Sequence, residues 1–203
     1  MRTWTALAAA TALAAGVAGC NNNNATPTTT QGGYTETQVR APLTGSVPAL
    51  TVTSSAFSNG GAIPTNEGQN GCGGTNVSPD LTWSGAPAAT KSFVITEFDP
   101  DAPTGSGFWH WVLYNIPPTT TSIAAGAGTN PPSGTSGLTD YGSLGYGGPC
   151  PPVGDGPHHY HFTVSALDTM LSGMPANSTG AYVVFNMGGH VLAQGTYLGT
   201  YAR

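Results

Sequence analysis

Glycine and proline constrain this chain more than any other residue types, because together they disfavour long helices. The 203 residues include 30 glycines and 17 prolines, and only 6% of the residues are charged. Glycine weakens helix interiors and proline interrupts them, whereas both are common in the turns between short strands. The composition therefore predicts a mainly β domain with many turns and few helices.

Short apolar stretches separated by turn residues occur from about residue 50 onward. Residues 50–57 (LTVTSSAF) and 159–167 (HYHFTVSAL) alternate apolar and polar side chains, as half-buried strands do. Residues 109–116 (WHWVLYNI) are almost entirely apolar, which predicts a central strand covered on both faces. Further strands are predicted at residues 80–83, 91–98 and 192–201. This pattern of short strands and irregular loops indicates a β-sandwich.

The balance of charge argues against nucleic acid as a partner. The chain has 4 Lys and Arg residues against 9 Asp and Glu residues, and Arg2 lies in the predicted leader. Domains that bind nucleic acid carry clustered basic residues, and this sequence has no such cluster. Because the net charge is −5, any bound anion must be held by local geometry rather than by the overall field.

The N-terminus has the features of an export signal. Arg2 precedes an apolar, alanine-rich stretch at residues 4–17, which is too short for a stable membrane anchor. Residues 17–20 (VAGC) resemble the lipobox of bacterial lipoproteins, in which the cysteine carries the lipid. We therefore expect residues 1–19 to be a lipoprotein signal peptide and Cys20 to be lipidated. An ordinary signal peptide with an incidental cysteine is the alternative.

A low-complexity segment follows the predicted lipidation site. Asparagine, threonine, proline, glutamine and glycine dominate residues 21–38, and almost no apolar side chain is present. Such a segment cannot bury enough apolar surface to offset the entropy lost on ordering. We expect residues 20–43 to be a flexible tether that holds a domain at residues 44–203 on the periplasmic or extracellular face of a membrane.

The cysteine count fits an oxidising location. The chain has 3 cysteines, which is an odd number for an exported protein. If Cys20 carries a lipid, Cys72 and Cys150 remain, and they can form one disulfide. The alternative is that both are buried free thiols.

Two aspartates and a histidine stand out near the centre of the chain. Asp99 and Asp101 lie in the stretch DPDAP, where two prolines stiffen the loop after the predicted strand 91–98. His110 lies between two tryptophans at the start of the next strand. An imidazole in apolar surroundings is costly to charge without a partner, and the two aspartates are the nearest candidates. The alternatives are a buried structural role for His110 and a turn-capping role for Asp101.

A second polar cluster lies in residues 146–162 (YGGPCPPVGDGPHHYHF). This segment holds three of the chain's 5 histidines beside four prolines. His158 and Tyr160 are two residues apart along a strand, so their side chains should face the same way. We expect residues 147–152 to form a rigid wall whose backbone amides face a cavity. A carboxylate, imidazoles, a phenol and amides in one pocket suit a phosphate, sulfate or carboxylate group.

These segments together resemble the phosphatidylethanolamine-binding protein family, and in particular its bacterial branch, often labelled Raf kinase inhibitor-like (YbhB/YbcL-type). The matching stretches are CGGTNVSPDLTW at 72–83, DPDAPTGSGFWHW at 99–111, NIP at 115–117, GYGGPCPP at 145–152 and GDGPHHYHFTVSALD at 154–168. The resemblance extends from about residue 50 to the C-terminus. It implies a β-sandwich of two antiparallel sheets with a few short helices. One helix is expected near the C-terminus, where the Gly-Gly pair within 178–191 otherwise leaves helix or loop open.

The resemblance also assigns a ligand pocket. The ligand-binding residues that it implies are Asp99, Asp101, His110, Gly148, Pro151, Pro152, His158 and Tyr160. One departure is visible, because the arginine usual between the histidine and the tyrosine of this motif is His159 here. That change removes a fixed charge, but the side chain is expected to point away from the pocket.

The function implied is that of an exported, membrane-anchored protein that binds a small anionic ligand such as phosphate or phosphoethanolamine, without a cofactor. A protein-interaction or protease-inhibitor module is an alternative, since some members of the family have such roles. A hydrolase that uses Asp99 and His110 on a bound water is another, although no GxSxG motif is present. A metal site is a third, although the sequence has no HExxH motif and no complete calcium loop.

Overall fold

The computed structural model describes residues 46–203 and the backbone of two earlier strands, β1 (Thr30–Gln31) and β2 (Tyr34–Thr35). These two strands pair antiparallel within the segment expected to be a flexible tether, and that expectation did not include them. The predicted signal peptide and Cys20 lie outside the described residues. None of the helices that the structure describes is long and apolar enough to cross a membrane.

Two sheets form the domain, as the sequence predicts. The larger sheet contains, in spatial order, β4 (Gly61–Ala62), β11 (Val191–Tyr201), β10 (His158–Leu167), β6 (Ser92–Asp99), β7 (Phe108–Ile116) and β9 (Thr135–Ser136). The smaller sheet contains β3 (Thr51–Thr53), β5 (Leu81–Ser84) and β8 (Ser122–Ile123). Neighbouring strands run antiparallel except β4 and β11, which are parallel. The mainly β prediction is confirmed, although β3 is shorter than the predicted strand 50–57.

The larger sheet is covered on both faces. Between the two sheets, Trp83 of β5 packs edge-to-face on Phe93 of β6, with ring centroids 5.4 Å apart. On the opposite face, Val94 and Val112 join a second apolar cluster with Val183. Burial on both faces explains why the central strands β6 and β7 read as nearly continuous apolar runs.

The second apolar cluster is completed by α1 (Gly180–Asn186), the helix expected near the C-terminus. Thr179 caps its first turn by accepting a hydrogen bond from the backbone N–H of Tyr182 at 3.3 Å. The helix ends before Gly189, whose φ of 81° favours glycine. The Gly-Gly pair that makes this segment ambiguous in the sequence therefore ends the helix. A short 3-10 helix, Thr65–Glu67, precedes β5.

A disulfide joins Cys72 and Cys150 across a sequence separation of 78 residues. Their Cα atoms lie 5.5 Å apart, which is a usual spacing for this bond. The predicted pairing is confirmed, and it fixes the loop before β10 to the loop before β5.

Four strand ends meet at one end of the larger sheet. Asp99, the last residue of β6, pairs with Phe108 at the start of β7. His158, the first residue of β10, pairs with Tyr201 at the end of β11. The antiparallel order therefore places the DPDAP loop, the FWHW motif and the HHYH motif side by side.

Candidate functional site

A cavity of about 170 Å³ lies at this end of the larger sheet. Its lining residues are Asp99, Ala102, Pro103, Thr104, Phe108, His110, Tyr141, Cys150, Pro151, Pro152 and His158. The volume is below the roughly 300–1,000 Å³ of sites for drug-sized ligands, so the cavity suits a small chemical group. Three segments that are distant in sequence thus share one hollow, as predicted.

Asp99 is the fixed centre of the polar groups. Its side chain is buried, and its Oδ1 accepts a hydrogen bond from the backbone N–H of Asp101 at 2.8 Å. Its Oδ2 lies 2.8 Å from Nδ1 of His158. In the sequence, Asp99 and Asp101 were the nearest candidate partners of His110. The structure pairs Asp99 with His158, whereas Nε2 of His110 lies 4.0 Å from the carboxylate.

His158 is the charged imidazole of the site. Burial alone would lower its pKa, but the hydrogen bond and the negative charge of Asp99 outweigh burial, and the pKa is raised above its usual value. Its Nε2 lies 3.6 Å from a carboxylate oxygen of the half-exposed Asp155. These contacts favour the charged form of His158, whose second N–H, on Nε2, lies on the side away from Asp99 and beside Asp155.

His110 is a neutral imidazole on the opposite side of Asp99. Its Nδ1 donates to the carbonyl oxygen of Gly147 at 2.8 Å, and Gly148 O lies 3.2 Å away. Burial lowers its pKa, against the smaller opposing effects of the Gly147 carbonyl and of Asp99. Its Nε2 lies 4.0 Å from Asp99 Oδ2, which is beyond hydrogen-bond distance. With the proton on Nδ1, Nε2 is an acceptor. Asp99 therefore does not keep His110 protonated.

A β-bulge turns His110 toward the cavity. Glu97 pairs with Trp111 and Phe98 pairs with Trp109, so His110 is the extra residue on β7. Trp109 packs on the outer face and Trp111 in the core between the sheets. The bulge lets His110 and Trp111 both lie on the inner side, which strict alternation along a strand does not allow.

The wall that precedes β10 differs from the prediction in its chemistry. The backbone N–H of Gly147 donates to the carbonyl of His110 at 2.8 Å, and that of Gly148 donates to Asn76 Oδ1 at 2.7 Å. These amides therefore do not face the cavity, and the two glycine carbonyls orient His110 instead. Gly148 does not line the cavity, whereas Pro151 and Pro152 do.

Two other predicted site residues lie beside the cavity rather than in its lining. Asp101 accepts hydrogen bonds from the backbone N–H and from Nδ1 of His159, both at 2.7 Å. His159 is half-exposed, as its position in the motif led us to expect. Tyr160 is fully buried, and its ring lies edge-on to His110 with centroids 5.1 Å apart. Within residues 46–203 its hydroxyl has no hydrogen-bond partner.

Sequence reasoning missed an aromatic part of the lining. Tyr141 donates its hydroxyl hydrogen to Gly148 O at 3.0 Å and lies edge-on to His110, with centroids 5.4 Å apart. The ring centroid of Phe108 lies 4.9 Å from that of the same imidazole. The position of Phe108, two residues before His110 on one strand, was a usable signal. Tyr141 follows no strand or motif in the sequence, and only the folded loop brings it to the site.

Metal ligation has no support in this geometry. Across the part of the chain that the structure describes, no group of three or more His, Cys, Asp or Glu side chains is arranged to hold a metal ion. The polar groups that do converge are one carboxylate, one charged imidazole and one neutral imidazole. Such a set binds through hydrogen bonds and charge.

A match to a family model agrees with this site and fold. Residues 53–202 match the model described as phosphatidylethanolamine-binding protein. The chain belongs to the phosphatidylethanolamine-binding protein family. This membership confirms the resemblance that the motifs carry, and the family match includes all of the cavity-lining residues.

Relatives in this phosphatidylethanolamine-binding protein family are similar over nearly their whole length. The UPF0098 protein YbcL of Escherichia coli (strain K12) is 47% identical over 152 residues, which cover 71% of this chain and 83% of the relative. The UPF0098 protein YbhB of the same strain is 45% identical over 141 residues, covering 66% and 89%. The crystal structure of E. coli YbcL, described as a new member of the mammalian PEBP family, has a TM-score of 0.72 and 43% identity. It covers 76% of this chain and 98% of the YbcL chain.

Proposed function

We propose that this chain binds a small anionic group, such as phosphate or a phospholipid head group, in the cavity described above. The observation that supports it is the pairing of His158 with Asp99, which holds one imidazole charged beside a second, neutral imidazole, His110. His158 would donate to an anion through Nε2, in place of its contact with the half-exposed Asp155. His110 would accept from a protonated ligand oxygen, or would take up a proton when the anion binds.

The size of the cavity supports a head group rather than a whole lipid. About 170 Å³ does not hold acyl chains, and the cavity opens where strands end at the surface. Proline and aromatic side chains make up much of the wall, so water is partly excluded around the bound group and its hydrogen bonds are strengthened.

Calorimetric titration of the purified chain with phosphoethanolamine tests the proposal. We expect His158→Ala and His110→Ala each to lower the affinity about tenfold or more, because each removes a polar contact in a partly desolvated site. His190→Ala is the matched control, since His190 is half-exposed and pairs with Asp168 away from the cavity. Equal affinity in the wild type and all three variants would contradict ligand binding in this cavity.

Export and lipidation of Cys20 are part of the same proposal. The lipobox-like sequence and the apolar leader support a membrane-anchored binding protein outside the cytoplasm. Cys20→Ser is expected to move the protein from the membrane fraction to the soluble fraction after cell lysis. Retention of the variant in the membrane fraction would contradict the anchor.

A protein-interaction role is the second candidate, and one surface favours it. The helix α1 exposes Phe185 and Tyr182, with 76% and 44% of their surfaces accessible. Exposed aromatic side chains of this kind are common at protein interfaces. This role predicts that Phe185→Ala weakens binding of a protein partner while His158→Ala does not. The hydrolase alternative has no such supporting observation, since Asp99 and His110 are not hydrogen-bonded to each other.

A further inference from the structure

Arg203 lies against the wall of the cavity. Strand β11 ends at Tyr201 opposite His158, and because side chains alternate along an extended chain, residue 203 falls on the same face as these two. Its Nε donates to the carbonyl oxygen of the lining residue Pro151 at 2.7 Å. Its own carbonyl accepts from the backbone N–H of Gly154 at 3.2 Å. Both contacts fix the arginine to the loop that forms one side of the hollow.

Among residues 46–203, no side-chain carboxylate forms an ion pair with Arg203. Within residues 46–203, every ion pair involves a histidine, and no carboxylate lies within 4.0 Å of the guanidinium. The other lysine or arginine of this part of the chain, Lys91, precedes the first residue of β6, whereas Asp99 is its last residue. The length of the strand separates them by roughly 25 Å. Arg203 is therefore the one permanent cation near the cavity among the described residues.

The positive charge of Arg203 also affects the pKa of Tyr141, another lining residue. Burial raises the pKa of Tyr141, and the positive charge of Arg203 opposes that rise. The contact that fixes the guanidinium beside the cavity is the one to Pro151. Of the five N–H groups of a guanidinium, the one on Nε is used by Pro151, which leaves the planar pair of NH₂ groups for a ligand.

The positive charge of Arg203 changes the balance of charge around the cavity. The protonated His158 and the carboxylate of Asp99 cancel each other, and His110 is neutral. The carboxylate of Asp155, 3.6 Å from Nε2 of His158, adds one negative charge. Without Arg203 these groups leave the cavity with no net positive charge, although its proposed ligand is an anion. With Arg203 the cavity gains one unit of positive charge at its rim.

We propose that Arg203 is a ligand-binding residue of this site, whose guanidinium contacts the outward oxygens of a phosphoryl group seated between His110 and His158. The contact favours a dianionic phosphomonoester over a monoanionic phosphodiester, because the second negative charge of the monoester faces the guanidinium. This inference deepens the proposed function and depends on it.

Titration with two probes tests the inference on the full chain. Phosphoethanolamine is a dianionic monoester at about pH 8, and glycerophosphoethanolamine is the monoanionic diester of a lipid head group. The wild type is expected to bind the monoester more tightly. Arg203→Gln should weaken monoester binding about tenfold and diester binding no more than about threefold, which removes the preference.

Two further variants separate charge from structure. Arg203→Lys keeps the positive charge but loses the two parallel N–H donors of the guanidinium, so it should restore part of the preference for the monoester. Lys91→Gln should leave the affinity for both probes unchanged. Equal weakening of both probes by Arg203→Gln and Arg203→Lys would mean that Arg203 only supports the wall, and would overturn the inference. Unchanged binding in Arg203→Gln, while His158→Ala fails to bind, would also overturn it. If the wild type binds neither probe, the proposed function itself is wrong.

Discussion

At the scale of single residues, the two histidines of the cavity differ because their partners differ. The carboxylate of Asp99 stabilises the charged form of His158, whereas burial keeps His110 neutral against the smaller opposing effect of the glycine carbonyls. The pair therefore resembles an acid and a base set side by side by their environments. Which histidine carries the charge depends on these contacts, and the sequence alone did not show which of the two is hydrogen-bonded to Asp99.

Anion binding should take up a proton at His110. A bound anion near Nε2 stabilises the imidazolium, so the low pKa of His110 should rise toward or above neutrality. Sulfate is a suitable probe because it does not titrate near pH 7. Calorimetry at pH 7 in two buffers of different ionisation enthalpy should show uptake of a fraction of a proton up to one. His110→Gln should abolish this uptake, and a wild type with none would contradict the assignment.

Glu97 is a buried carboxyl that the proposed function does not use. Its side chain is fully buried on β6, and among residues 46–203 neither carboxyl oxygen has a hydrogen-bond partner. Burial first, and then the negative charges of Glu67 and Asp99, raise the pKa of Glu97 well above its usual value. The folded chain therefore keeps a proton that the unfolded chain releases above its ordinary pKa of about 4.3.

This difference makes stability fall as pH rises. The native state binds more protons than the unfolded state above about pH 4, so the free energy of unfolding decreases until the folded-state pKa is reached. Glu97→Gln removes this effect and should reduce the loss of stability by up to about 1.4 kcal/mol per pH unit. Urea unfolding between about pH 5 and pH 7 measures it. Parallel stability profiles for the variant and the wild type would contradict the buried, protonated state of Glu97.

At the scale of elements, the disulfide between Cys72 and Cys150 joins the loop before β10 to the loop before β5. Cys150 lines the cavity, and the carbonyl of its partner Cys72 accepts a hydrogen bond from the Tyr201 hydroxyl at 3.4 Å. The bond therefore links the cavity wall to the end of β11 and to the loop before β5. A closed loop of 78 residues stabilises the fold by roughly 4.5 kcal/mol in the chain-entropy description.

Removal of the disulfide should affect both stability and binding. We expect Cys72→Ala with Cys150→Ala to lower the free energy of unfolding by about 2–5 kcal/mol and to weaken phosphoethanolamine binding. A reductant should lower the stability of the wild type toward that of the variant and leave the variant unchanged. If the double variant unfolds at the same urea concentration as the wild type, the bond does not have this role.

Elements also mark the limit of what the sequence predicts. Alternation and apolar runs give β5, β6, β7, β10 and β11 within a few residues, because their burial pattern is local. The bulge at His110 is not visible in the sequence, since it depends on how β7 pairs with β6. The short strands β4, β8 and β9 carry too few residues to show any period.

At the scale of the whole molecule, motif order predicted which segments converge, and the fold determined what each residue does there. Asp99, His110, His158 and the proline wall meet in one cavity, as the motifs implied. Asp101 and Tyr160 lie outside the cavity lining. Asp101 pairs with His159, and Tyr160 is buried against the ring of His110. Long-range partners such as these follow from topology rather than from spacing along the chain.

One measurement tests the central claim most directly: nuclear magnetic resonance of the histidine rings while phosphate is added. The ring signals of His110 and His158 should shift together with a single midpoint, because both line the same cavity. The signal of His190, paired with Asp168, should stay where it is. If His110 and His158 do not respond, or if His190 shifts as far as they do, phosphate does not bind at this site and the account is wrong.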